Sequence, residues 1–301
     1  MKTSKKNNRA KRESIAAYCF LFPSFVGLVF LTYLPLLALF VISFFNWRGL
    51  SPPEFAGFDN YVRMFTIDPF FWNSIRVTSI FALLSVASSL IYSLIIALLM
   101  NQKIPARGFF RALFYLPFVL PAAAVYIGWS WLYEPNFGLF NYILNQLGIN
   151  NVLFLNDSRL VVPSLALIAV WLSGNLIVIF LAGLQNVPTV YHEAAQIDGA
   201  NTFQRFLHVT LPCMTPIIFY NLLMSLITNL QIVTPALALT QGGPAGGSMF
   251  ISYLIYHNAF RNNQIGYASA LAFVFFIIIA IFTSILFLTS KSWIFYEGDT
   301  K

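Results

Sequence analysis

Apolar residues occur along this chain in long runs, and polar or charged residues gather in the short segments between them. A bilayer core about 30 Å thick is crossed by roughly twenty apolar helical residues. Six stretches reach that length, at residues 16–45, 77–100, 111–133, 161–185, 214–240 and 268–289. The pattern predicts an all-α membrane protein with six transmembrane helices, several of them long enough to tilt. Pro23, Pro35, Pro117, Pro121, Pro163, Pro216 and Pro235 fall inside these runs. Beyond a helix's first turn, proline removes a backbone donor and kinks or breaks the helix. Kinked helices suit a domain that lines a cavity, although proline is generally commoner in membrane helices than in soluble ones.

The connecting segments have patterns of their own. Residues 46–76 hold Ser-Pro-Pro at 51–53 and Phe58-Asp-Asn-Tyr61, expected as a short interfacial helix or loop. Residues 134–160 open with the turn formers Pro135 and Asn136, and a short amphipathic helix is predicted at 139–147. Residues 241–266 open with Gly-Gly-Pro-Ala-Gly-Gly, a run that does not stay helical. Such segments either receive a substrate-delivery protein or simply connect spans.

Composition agrees with a bilayer environment: 58% of residues are hydrophobic, 9% are charged and the mean hydropathy is +0.74. A water-soluble chain of that make-up would expose enough apolar surface to aggregate. No polar segment is long enough to close a core of its own, so residues 16–290 are expected to form one membrane domain. A basic N-terminal stretch (1–15) and a tail (291–301) flank it.

Lys and Arg near a span are held on the cytoplasmic side. With the N-terminus inside, the inner segments hold Lys2, Lys5, Lys6, Arg9, Lys11, Arg12, Lys103, Arg107, Arg111, Arg205, Lys291 and Lys301. The outer ones hold Arg48, Arg63, Arg76, Arg159 and Arg261. Both termini are therefore expected in the cytoplasm. The net charge of +7 follows from these flanking residues, which are not interleaved with aromatics in one groove, so nucleic acid is not an expected partner. The first apolar run is too long for a secretory signal and lacks a small-x-small site, which predicts an uncleaved span. Cys19 and Cys213 are too far apart in sequence to suggest a disulfide framework or redox pair, and are expected as packing residues.

The chain is also short of groups that drive transport by themselves. No Asp, Glu, Lys or Arg occurs from Phe206 to Phe260, and the other spans lack them in their central portions. Proton-coupled transporters and voltage sensors need buried ionisable groups. A GxxxxGK[ST] phosphate loop is absent: the glycines from Gly242 to Gly247 have no lysine after them. His192, His208 and His257 have no partners at ligand spacing, so no metal role is assigned, and His208 is expected on a surface loop. Active transport by this chain requires energy from a partner.

Between the fourth and fifth runs, residues 186–213 form a soluble-looking insert on the predicted cytoplasmic side. It carries Glu193-Ala-Ala, then Gly199, then Val209-Thr-Leu-Pro212. Residues around Tyr191 to Gln196 are expected to form a short helix that Gly199 ends or bends. A further turn of helix is expected at 202–207, and Leu211-Pro212 leads back into the membrane. Ala194, Ala195, Gly199 and Ala200 are small enough to sit close in a partner's groove, with Ile197 and Phe203 as apolar anchors.

This spacing resembles the EAA loop of bacterial ATP-binding-cassette importer permeases, with Val209 where that family usually has isoleucine. Phe58-Asp-Asn-Tyr61, Ala194-Ala-Gln-Ile-Asp-Gly-Ala200, Gly242-Gly-Pro244 and Gly266-Tyr-Ala-Ser-Ala270 extend the resemblance to the MalF-like side of the carbohydrate branch. The resemblance implies a MetI-like type I importer transmembrane domain in a bacterial cell membrane, with no catalytic residue and no cofactor on this chain. It also implies a second, MalG-type permease, two ATPase subunits that bind ATP and magnesium, and an extracytoplasmic solute-binding protein. Glu193, Ala194, Ala195, Ile197, Asp198, Gly199, Ala200, Phe203, Leu211 and Pro212 would then couple to an ATPase. The chain lacks the large second-loop insertion of the enterobacterial maltose permease and is similar to the shorter form.

Asn221, Ser225, Thr228 and Asn229 share one face of the fifth span, and hydroxyl and amide groups match the hydroxyls of a sugar. Counted back from Gly-Gly-Pro, Ser225 and Asn229 are also similar in position to substrate-contacting residues of MalF-like permeases. The fourth span adds Trp171, Ser173 and Asn175, an aromatic face with polar groups beside it. The same side chains would also serve as hydrogen bonds between helices. The leading expectation is a pore-forming importer subunit for an oligosaccharide or related polyol. Alternatives are an ATP-independent channel or facilitator and, third, a membrane-embedded enzyme.

Overall fold

The computed structural model describes residues 2–49, 51–102 and 105–295. Lys103, Lys301 and residues 296–301 of the expected C-terminal tail lie outside the described residues, as do the side chains of the basic cluster from Lys2 to Arg12. The structure forms two compact units, one made of the described residues through Ile67 with Ile255–Val274, the other of Asp68–Leu254 with the described residues from Phe275 onward.

In the first unit, α1 (Lys2–Leu28) passes through a π-helical turn, Val29–Tyr33, into α2 (Leu34–Ile42). The wide turn ends where Leu34 N–H donates to Val29 O, immediately ahead of Pro35, whose ring would crowd a regular α-turn. A two-residue antiparallel pair follows, β1 (Phe45–Asn46) and β2 (Glu54–Phe55), with Phe45 opposite Phe55. The Phe58-Asp-Asn-Tyr61 motif opens α3 (Asp59–Val62) and ties it to the strand: Asn60 Nδ2 donates to Ser43 O (2.9 Å) and Phe45 O (3.0 Å), and Tyr61 shares a 2.6 Å hydrogen bond with Ser43. Gly266 N–H donates to Trp47 O at 3.2 Å, and a Cβ at Gly266 would overlap Phe45 O. The Gly266 to Ala270 motif therefore begins with the residue that lets a helix press against this strand.

The second unit is built around α4 (Pro69–Asn101), whose N-cap Asp68 accepts from Phe70 N–H at 2.8 Å. Against it pack α5 (Arg107–Val119), α8 (Val161–Trp171), α9 (Gly174–Asn186) and the later α12 (Leu211–Leu230), while α6 (Ala122–Leu132) carries the short α7 (Leu139–Gln146). The remaining helices are α10 (Thr189–Ile197), α11 (Thr202–Arg205), α13 (Ile251–Tyr256) and α14 (Ile265–Ser290), the last two crossing the boundary between units. The core near α12 comprises Ala97 and Met100 of α4, Ile177, Phe180, Leu181 and Leu184 of α9, and Met214.

Among the described residues, four helices are long and apolar enough to cross a membrane, and two bent pairs, each counted as one span, bring the number to six. The third span is not the continuous 111–133 helix expected from its apolar run. It breaks by 98° between α5 and α6. Leu120, ahead of Pro121, is forced into extended backbone (φ −68°, ψ 146°). The fourth span bends by 48° between α8 and α9. The fifth also differs. Its helix runs without a break over Thr202–Leu230, starting in the polar insert and ending ten residues before residue 240. A π-helical turn, Phe206–Thr210, closes with Leu211 N–H donating to Phe206 O and carries the helix past Pro212. The glycine-rich segment at 241–266 gives way to α13 and a π-helical turn, His257–Arg261, so it is non-helical only at its start and over residues 262–264.

Candidate functional site

The polar insert folds as two helices joined by a tight, fully hydrogen-bonded turn. α10 ends in a Schellman arrangement: Gly199 N–H donates to Gln196 O (3.1 Å) and Ala200 N–H to Ala195 O (2.9 Å). Gly199 has φ +80°, where a side chain is strained, and no other atom lies within 4 Å of the place its Cβ would take. Asn201 then starts the next helix with a reciprocal cap. Its Oδ1 accepts from Gln204 N–H (2.9 Å) while its own N–H donates to Gln204 Oε1 (2.8 Å).

Both ends of the turn are thus fixed by local bonds, and its outer surface is left bare. Ile197 is 87% exposed and Phe203 68%. Glu193, Ala194 and Asp198 are exposed, and Ala195, Ala200, Leu211 and Pro212 half-buried. His208 lies in the π-helical turn, its Nδ1 3.0 Å from Gln204 O, rather than on a loop.

Near the other end of the same continuous helix, α12 forms one wall of a cavity of about 390 Å³. Asn221, Ser225, Thr228 and Asn229 all line it, as do Ser173 and Asn175 at the α8–α9 bend. Asn229 Nδ2 donates to Ser225 O (2.8 Å) and Ser225 Oγ (3.2 Å), and Thr228 Oγ1 to Met224 O (2.8 Å). Ser173 Oγ bonds Val170 O (2.7 Å) and Ser93 Oγ (3.0 Å). Asn221 stands apart: it is 0% exposed, and neither Oδ1 nor Nδ2 has a hydrogen-bond partner. An unsatisfied buried amide costs about 1–3 kcal/mol. The cavity lining has amide, hydroxyl and phenol groups but no charged side chain.

The family model of the binding-protein-dependent transport system inner membrane component matches residues 89–293, a stretch that includes both the turn and the cavity. The chain belongs to that family. It is 38% identical to the probable ABC transporter permease protein YesP of Bacillus subtilis (strain 168), across 99% of this chain and 97% of that one. It is 32% identical to the trehalose/maltose transport system permease protein MalF of Thermococcus litoralis, across 90% and 92%. Its fold matches a chain in the crystal structure of a bacterial alginate ABC transporter in complex with alginate pentasaccharide-bound periplasmic protein. That match has a TM-score of 0.81 at 21% identity and covers 94% of this chain and 96% of that one. The protein is a multi-pass membrane permease, a transport subunit and not an enzyme.

Within this permease the fourth-span residues separate. Ser173 and Asn175 reach the cavity, whereas Trp171 does not line it and instead meets Trp129 edge-on, with ring centroids 5.7 Å apart. At the break, a Cβ on Gly174 would lie 2.5 Å from Phe114 O, so glycine permits α9 to start against α5. Sequence patterning missed Ser89, Phe118, Tyr126 and Tyr220, which also line the cavity from α4, α5, α6 and α12. Pro121 was the available signal for Phe118 and Tyr126, because a break there turns residues on both sides toward one space.

Proposed function

We propose that the permease forms half of the pore of an ATP-driven importer for a carbohydrate, an oligosaccharide or related polyol. The observation that carries this reading is a single helix, Thr202–Leu230, with an exposed apolar turn at one end and a neutral polar cavity near the other. A displacement of the turn would reach the cavity wall along one continuous helix. Amide and hydroxyl groups with no charge suit a polyhydroxylated solute, and tyrosine rings offer stacking faces. A relative whose name refers to trehalose/maltose transport supports the substrate class.

In this reading a second, MalG-type permease completes the pore, and an extracytoplasmic solute-binding protein delivers the sugar. Two ATPase subunits, which hold the ATP and magnesium, receive the turn formed by Glu193 to Phe203, with Leu211 and Pro212 at its return. Both termini and the turn lie in the cytoplasm of a bacterial cell, as the Lys and Arg distribution implies.

Reconstitution with the partner subunits tests the assignment. Asn229→Leu is expected to suppress ATP-dependent sugar uptake while leaving the ATPase bound. Gly199→Asp is expected to abolish coupling. Uptake that needs no ATP, with no ATPase recovered in mild detergent, would sink the importer reading in favour of a channel.

A further inference from the structure

We propose that α7 is an interfacial helix that lies in the headgroup–acyl boundary of the leaflet reached by the end of α6. Leu139, Tyr142 and Ile143 of α7 and Leu147 at its C-cap form an apolar stripe in which Gln146 is the one polar member, and all five are exposed. The stripe belongs to a firmly held element. Asn141 is fully buried on the opposite face, donating to Glu134 O (3.3 Å) and Val152 O (3.0 Å) and accepting from Val152 N–H (2.8 Å). Phe140 packs against Tyr133, Trp129 and Phe154, with centroid separations of 5.2, 5.8 and 6.0 Å.

Position and chemistry both select lipid as the occupant. α6 is the second half of a membrane span, and its Ile127 and Trp131 are exposed. The connection to α7 is a tight turn in which Glu134 accepts from Asn136 N–H (2.6 Å) and Phe137 N–H (2.8 Å), and Gly138 N–H donates to Glu134 O (3.0 Å). α7 therefore cannot depart from the end of the span, and its stripe continues the exposed apolar surface of α6 through Phe137. No charged residue occurs from Pro135 to Asn156. The neighbouring polar groups, Asn145, Gln146, Asn150 and Asn151, are all neutral, so the stripe has no charged flank to steer or orient a soluble protein. Aromatic and aliphatic side chains at a span end fit the membrane interface.

The test uses the full-length permease with Cys19→Ala and Cys213→Ala, in vesicles of phosphatidylethanolamine and phosphatidylglycerol. A nitroxide is attached at Ile143→Cys, Leu147→Cys or, on the flank away from the stripe, Asn145→Cys. Relaxation by oxygen and by a water-soluble nickel chelate is then measured. Labels at 143 and 147 are expected to have an oxygen-to-nickel accessibility ratio several-fold above that at 145. Equal ratios at the three sites, meaning an aqueous surface, would overturn the proposal. Labels at 143 and 147 shielded from both reagents would overturn it too, because the occupant would then be protein. Should one variant fail to fold, the other of the two stripe positions decides.

Discussion

Asn221 makes the sharpest demand on the cavity. Its side chain is fully buried, lines the cavity and leaves both amide atoms unpaired. Asn221→Leu replaces the amide by an apolar group of similar size, so no large void opens and no polar atom is left stranded. The unsatisfied amide costs about 1–3 kcal/mol, and removing it is expected to stabilise this conformation by about that amount. If a solute hydroxyl pairs with the amide during transport, the same change removes a similar stabilisation of the loaded state. That corresponds to a loss of roughly five- to 150-fold in uptake efficiency, at about 1.4 kcal/mol per tenfold. The assays are thermal unfolding of the purified permease in detergent and initial uptake rates in proteoliposomes with its partners. The two readouts should move in opposite directions: higher melting temperature, lower uptake. A variant that melts earlier, or that transports like the parent, refutes the reasoning, because the amide would then have a structural partner or no contact with solute.

Three further outcomes follow from the geometry. Gly199→Ala meets no neighbouring atom but places a Cβ at φ +80°, so about 1–2 kcal/mol of strain should loosen the turn; hydrogen exchange at residues 198–201 should rise while the melting temperature hardly changes. Ile197→Ser combined with Phe203→Ser, both at exposed positions, should leave folding intact and reduce ATPase copurification; undiminished recovery would remove these two as anchors. Gly174→Ala brings a Cβ within 2.5 Å of Phe114 O, which forces α5 and α9 apart and should lower stability by about 1–3 kcal/mol in a thermal melt.

The apolar runs were legible because a lipid environment selects uninterrupted apolar length, and the helix at 139–146 because amphipathicity leaves a periodic trace. Other features were legible only in part. Pro121 marks a break, but hydropathy cannot distinguish a gentle kink from a 98° turn, since both halves stay apolar. Pro212 reads as the start of a span, yet the widened turn before it lets one helix continue through. Asn201 and Gln204 stand at the spacing of a reciprocal cap and would have located the helix start. Trp171 was grouped with Ser173 and Asn175 by sequence proximity. The break between α8 and α9 sends it elsewhere, and a pattern along one chain does not encode that geometry.

The unbroken helix also bears on how such a permease is retuned. From Thr202 to Asn229 it extends roughly 40 Å at about 1.5 Å per residue. Substitutions that far apart, with no shared neighbours, combine additively. New solutes would then be accommodated by exchanging cavity residues in its last turns and those facing them on α4, α6 and α9, with the residues at the exposed turn inherited unchanged. The rod is a modular handle: its grip stays constant while its tip is exchanged.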